Sequence, residues 1–132
     1  MQTQLDTAIY DKINSCAALK ALLGDERFYA DAAPQNTEFP FLVWFHILTE
    51  HQETFNTRLE NDSIQFSIFS KNQSAAEINE IADELFECFD NTILTIADYY
   101  SVRCRRVSSR RLKDPEDAWH YMAEYQILIQ EQ

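Results

Sequence analysis

Ser63–Phe89 constrains the chain more than any other stretch, because it reads as strand, turn and helix in one run. Ile64, Phe66 and Ile68 alternate with Ser63, Gln65 and Ser67, the period of a strand with one buried face. Ser70, Lys71, Asn72 and Gln73 supply turn chemistry. Ser74 stands three residues before Glu77. That is capping-box spacing, in which the serine hydroxyl accepts from the glutamate amide and the carboxylate reaches back. Ile78, Ile81, Ala82, Leu85, Phe86 and Phe89 then lay one apolar stripe along a helix, while Glu77, Glu80, Asp83, Glu84 and Glu87 occupy its other side. The segment demands an amphipathic helix laid on a sheet.

The rest of the chain extends this unit in both directions. Leu5, Ala8, Ile9, Ile13 and Cys16 recur at helical spacing, predicting a first helix over residues 2–14. Ser15 is expected to cap a short second turn through Leu19, Leu22 and Leu23, closed by Gly24 in the left-handed conformation. Arg27 to Ala30 fits a short edge strand, and Pro40 the start of a longer one. In that strand Phe41, Val43, Phe45 and Ile47 share one face, and Leu42, Trp44, His46 and Leu48 the other. A strand apolar on both faces is central, or has one face covered by another subunit. Residues 50–62 turn polar, as either a long hairpin connection or two strands forming a protruding arm. Tyr99 to Ser108 alternates with Arg103 and Arg105 outward, residues 113–117 read as a turn, and Trp119 to Ile129 gives the longest strand signal.

Assembled, the expectation is one α+β domain over residues 1–132. A mainly antiparallel sheet of four to five strands carries two helices on one face. The helix stripe is expected to cover Ile64, Phe66 and Ile68. The opposite face, with Leu42, Trp44, Met122 and Leu128, is left without an obvious cover, which makes Trp44 a candidate interface residue.

Composition narrows the class. The 132 residues are 45% hydrophobic and 13% aromatic, enough to bury a core despite a net charge of −11. One glycine and three prolines leave little room for a flexible linker or a glycine-rich phosphate loop. No apolar run approaches the ~20 residues of a membrane span, and MQTQLDTAIYDK lacks the basic start and apolar block of a signal peptide. Cys16, Cys88 and Cys104 are odd in number and widely spaced; buried, reduced thiols of a cytoplasmic protein are expected.

The charge is unevenly spread. Residues 50–98 hold 11 acids against 2 bases, whereas 103–113 hold Arg103, Arg105, Arg106, Arg110, Arg111 and Lys113 with no acid. A globally acidic chain repels free nucleic acid. The asymmetry suits self-association, a basic strand end of one copy meeting the acidic helix of the next; intramolecular partners for the arginines are the other reading.

Catalytic chemistry is hard to find. His46, His51 and His120 offer no four-ligand zinc spacing, and no GxSxG, Walker or dinucleotide-binding pattern is present. Ser108 and Ser109 beside Arg110 and Arg111 form only a weak phosphate motif. No enzymatic activity, cofactor or metal is expected.

Four stretches carry a resemblance to a known family. LDTAIYDKINSCAALKALLGDERFY, AAPQNTEFPFLVW, IQFSIFSKNQSAAEINEIADEL and WHYMAEYQILIQ run in order over nearly the whole chain. They resemble the tail-completion or tail-terminator proteins of long-tailed bacteriophages and prophages, with Ala33, Pro34, Gln35, Pro40 and Phe41 as matching positions. Asn36 stands where members often carry glycine, and the 103–113 basic segment has no counterpart in the pattern. The resemblance implies a subunit of a ring, commonly sixfold, that caps the tail tube and meets the head connector. Its partners would be other copies, the tail tube protein and the connector, with DNA only passing through the channel and no membrane. Its location would be the host cytoplasm during assembly, then the virion. Subunit contacts are expected at Arg103, Arg105, Arg106, Arg110, Arg111, Glu77, Glu80, Asp83, Glu84, Glu87 and Trp44, with part of the basic set lining the channel. Another small head–tail joining protein, or an acidic inhibitor of a basic enzyme, are the alternatives.

Overall fold

The computed structural model describes residues 2–53 and 58–131. Helices α1 (Gln2–Ser15) and α2 (Ala17–Leu22) precede strands β1 (Phe28–Ala30), β2 (Phe41–Glu53) and β3 (Arg58–Ser70). Helix α3 (Ala76–Phe89) follows, then β4 (Thr95–Ile96), β5 (Tyr99–Lys113) and β6 (Trp119–Glu131). The strands form one sheet in the order β1-β2-β3-β6-β5-β4, antiparallel except for the short parallel β1–β2 pair. The α+β class stands. The expected four to five strands become six because two- and three-residue edge strands are too short to show periodicity. The expected two helices become three because residues 17–22 complete a separate helix.

The core lies between the sheet and the helices. Ile78, Ile81, Leu85 and Phe89 of α3 and Leu5, Ile9 and Ile13 of α1 are buried against Ile64, Phe66, Ile68, Tyr125 and Ile127. Each such side chain contributes about 1.5–3 kcal/mol on burial. Phe66, Phe89 and Tyr125 pack with ring centroids 4.9–6.0 Å apart, close enough for edge attraction beyond area alone.

Several local expectations are corrected. Leu42 and Trp44 do not lie on the uncovered face. They register with Ile68 and Phe66, Trp44 is 2% exposed, and its Nε1 donates to Asp6 Oδ1 of α1 at 3.2 Å. The alternation along β2 is as read, but the more apolar-looking set, Phe41, Val43 and Phe45, faces away from the helices. The capping box is also replaced. Ser74 Oγ accepts from the Ala76 amide at 2.9 Å, and Glu77 accepts from Ser70 Oγ at 2.7 Å, so the carboxylate ties the helix to β3 instead of to its own cap. Ser15 ends α1, donating to the Lys12 carbonyl, and Cys16 takes the cap position of α2 without a side-chain bond.

Gly24 does adopt the left-handed conformation, at φ +63°, and a Cβ there would collide with the Arg27 guanidinium. Cys16 and Cys88 form a disulfide, contrary to the reduced thiols expected; Cys104 alone is free and buried. Of the two readings for residues 50–62, paired strands are correct: β2 and β3 stay in register to Glu53–Arg58. They protrude little, since β6 accompanies β3 as far as Leu59–Gln130. The tip of the arm, residues 54–57, lies outside the described residues.

Candidate interaction surface

Strand β5 carries the basic cluster, and the sheet register sorts it into two sets. Cys104 lies opposite Ile127 and Arg106 opposite Tyr125, both on the helix side, and a bulge at Val107 preserves that side for Arg111 opposite Tyr121. Arg103, Arg105 and Arg110 lie opposite Leu128, Gln126 and Met122, on the face that no helix covers.

The helix-side set is engaged within the chain. The Arg106 guanidinium stacks 3.7 Å from the Phe86 ring centroid and pairs with Asp90 at 3.3 Å. Tyr125 also donates its hydroxyl to Asp90, and burial together with the Asp90 carboxylate raises the phenol's pKa. Arg111 donates to Asn79 Oδ1 at 2.7 Å and lies over Trp119, as Lys113 does.

The open-face set is available. Arg103, Arg105 and Arg110 are exposed, and Arg105 donates to Gln126 Oε1 on the same face at 3.2 Å. Beside them the same face becomes apolar. Phe39, Phe41, Phe69 and His120 stack in a row with centroids 4.3–5.1 Å apart. Phe41, Phe69 and His120, with Val43 and Phe45, line a shallow groove of about 410 Å³. Burial lowers the pKa of His120, keeping its ring neutral beside those phenyl groups.

On the opposite side of the molecule, α3 turns Glu80, Asp83 and Glu87 to solvent, while Glu77 and Glu84 are half-buried. Of the eleven candidate residues, three arginines therefore lie on the open sheet face, three exposed acids lie on the solvent side of α3, and Glu84 is half-buried there. Glu77, Arg106, Arg111 and Trp44 are held within the fold.

Sequence reasoning missed a buried polar cluster. Asp62 is 0% exposed. Its Oδ1 lies 2.6 Å from His46 Nε2 and accepts from Thr49 Oγ1 at 2.7 Å. Thr49 Oγ1 also lies 2.8 Å from the same His46 nitrogen. A hydroxyl-activating relay needs carboxylate and hydroxyl on different ring nitrogens, so this arrangement is a closed knot that fastens β2 to β3. The polar run 60–62 hinted at it, but only the bulge between His46 and Leu48 brings Thr49 round to Asp62. Among the described residues no group of three or more His, Cys, Asp or Glu could hold a metal ion, and no helix is long and apolar enough to cross a membrane.

Residues 7–130 match the family model described as tail completion protein gp17. No curated protein matches the chain. Among solved structures, a chain from the virion of a native gene transfer agent particle superposes with a TM-score of 0.80 at 14% identity, covering 96% of this chain and 95% of that one. At that identity the likeness concerns the fold. The family match spans nearly the whole sequence, and on it the chain belongs to the tail completion protein gp17 family, structural components of phage tails.

Proposed function

We propose that copies of this chain associate head to tail into a ring, sixfold in the form the resemblance implies, which ends the tail tube and joins it to the head. One observation carries the reading: the two broad faces of a two-layer body bear opposite charge, Arg103, Arg105 and Arg110 on the sheet and Glu80, Asp83 and Glu87 on α3. A contact between two different patches repeats around a circle and closes when the rotation per copy divides a full turn. Each exposed pair contributes only about 0–1 kcal/mol, so the apolar groove around Phe41 and Phe69 supplies the desolvated part of the contact. Arginines left outside the contact would line the channel and hold passing phosphates. The reading assigns the chain no reaction. The arginine row also suits a self-associating subunit better than an acidic inhibitor built to mimic nucleic acid.

The test is assembly in the absence of the chain. Particles made without it should yield tails of uncontrolled length that are not joined to heads, and supplying the wild-type chain should restore uniform joined tails. Tails of normal length, joined to heads, would overturn the proposal.

A further inference from the structure

Asp62 is wholly buried where the outer parts of β2 and β3 leave the core, and its two oxygens are served unequally. Oδ1 accepts from Thr49 and lies against His46 Nε2, whereas no amide, hydroxyl or ring N–H among the described residues reaches Oδ2. Buried carboxylate oxygens are ordinarily satisfied. The Glu60 carboxyl, two residues along the same side of β3 and half-buried, is hydrogen-bonded to that of Asp62. Two ionised carboxylates are acceptors only, so this bond exists only while one of them carries a proton. We propose that Glu60 and Asp62 share one proton, and that this proton latches the outer part of the β2–β3 pair until it leaves to solvent.

The proton sits on Glu60. Asp62 already accepts from the Thr49 hydroxyl, a bond that favours its ionised form, and Oδ2 is the oxygen left for the Glu60 O–H. Burial raises the Glu60 pKa, and the hydrogen bond to Asp62 and the Asp62 charge raise it further. His51 and His46, facing it from β2, act in the opposite direction. On the same side β3 adds the exposed Arg58, and β6 adds Ile127 and Ile129. Beyond them β5 presents Cys104, whose thiol burial pushes up to about 11 and so keeps neutral. Helix α1 adds Asp6, which accepts from Trp44.

With the proton in place, bonded groups run from Glu60 through Asp62 to Thr49 and so tie β3 to β2. Thr49 pairs with Asp62 and His51 with Glu60, so the latch acts where the two strands extend towards Glu53 and Arg58. Once Glu60 ionises, two like charges stand side by side away from bulk water, and Glu60 swings out to solvent. The folded-state pKa lies above the ordinary value of 4.5. The latch is therefore complete below that ordinary value and is lost as pH rises through the folded one. Helix α3 takes no part, so the loosening is local.

The experiment follows the full chain by NMR from about pH 4 to about pH 8. The Glu60 carboxyl carbon should titrate with a midpoint above 4.5. Amide protection factors of residues 49–51 and 59–61 should fall at least fivefold across that midpoint, while those of α3 show no such loss. Glu60→Gln keeps a donor for Asp62 without the charge, so its protection should stay high and flat with pH. A Glu60 midpoint at or below 4.5, or wild-type protection that is flat with pH, would overturn the proposal. So would a pH dependence that survives Glu60→Gln, since it would then belong to the histidines.

Discussion

The guanidinium of Arg106 stacks on the ring of Phe86, 3.7 Å from its centroid, and so fastens the middle of β5 to the last turn of α3. Arg105 and Arg110 of the same strand lie on the other face of the sheet, opposite Gln126 and Met122. Arg106→Ala should therefore destabilise the monomer. The stacking contributes ~0.5–2 kcal/mol and the partly exposed Asp90 pair little more, so a fall of several degrees in melting temperature is expected. Arg105→Glu with Arg110→Glu should leave the melting temperature within about a degree of wild type and act only on association.

Trp44 gives a second separation of fold from interface. Buried beneath α1 with its indole bonded to Asp6, it should fluoresce as a buried tryptophan at every protein concentration. Trp44→Ala should cost ~3–5 kcal/mol, as other large core truncations do. Urea denaturation at fixed concentration measures it. An effect on association with unchanged stability would argue that the residue is at an interface after all.

The Cys16–Cys88 disulfide joins the α1–α2 corner to the last turn of α3 across 72 residues. Alkylation of the denatured, unreduced protein should label Cys104 alone, and reduction should expose two further thiols. Closing so long a loop typically stabilises by roughly 2–4 kcal/mol, so Cys88→Ser should lower the denaturation midpoint accordingly.

His120 sets a pH dependence. Burial lowers its folded-state pKa below the ordinary value of 6.5, so between the two values the unfolded chain binds the extra proton. Its contribution to stability is complete above about pH 6.5 and is lost as pH falls from there towards the folded value. Urea midpoints measured from pH 7 to pH 5 should fall, and His120→Gln should flatten the slope over that window.

Long amphipathic elements were legible in the sequence. The Ile78–Phe89 stripe, the alternation in β3 and β6, and Gly24 all declare one dominant local preference, and tertiary packing agrees with it. The side on which β2 is buried was not legible, because both of its faces are apolar; α1 decides it by offering Asp6 to Trp44. The split of the arginines was hidden for a related reason. A bulge at Val107 shifts the alternation by one, so Arg106 and Arg111 share a side although simple period-two counting separates them. The disulfide was invisible because no spacing rule connects Cys16 to Cys88, and the His46–Thr49–Asp62 knot depends on a second bulge.

The most direct test of front-to-back association is native mass by light scattering after size exclusion, over a wide concentration range at low and high salt. The account predicts a mass that climbs towards a closed ring with concentration, retreats in high salt as charge pairs are screened, and stays near the monomer for Arg105→Glu with Arg110→Glu. A mass indifferent to both salt and these substitutions would contradict it.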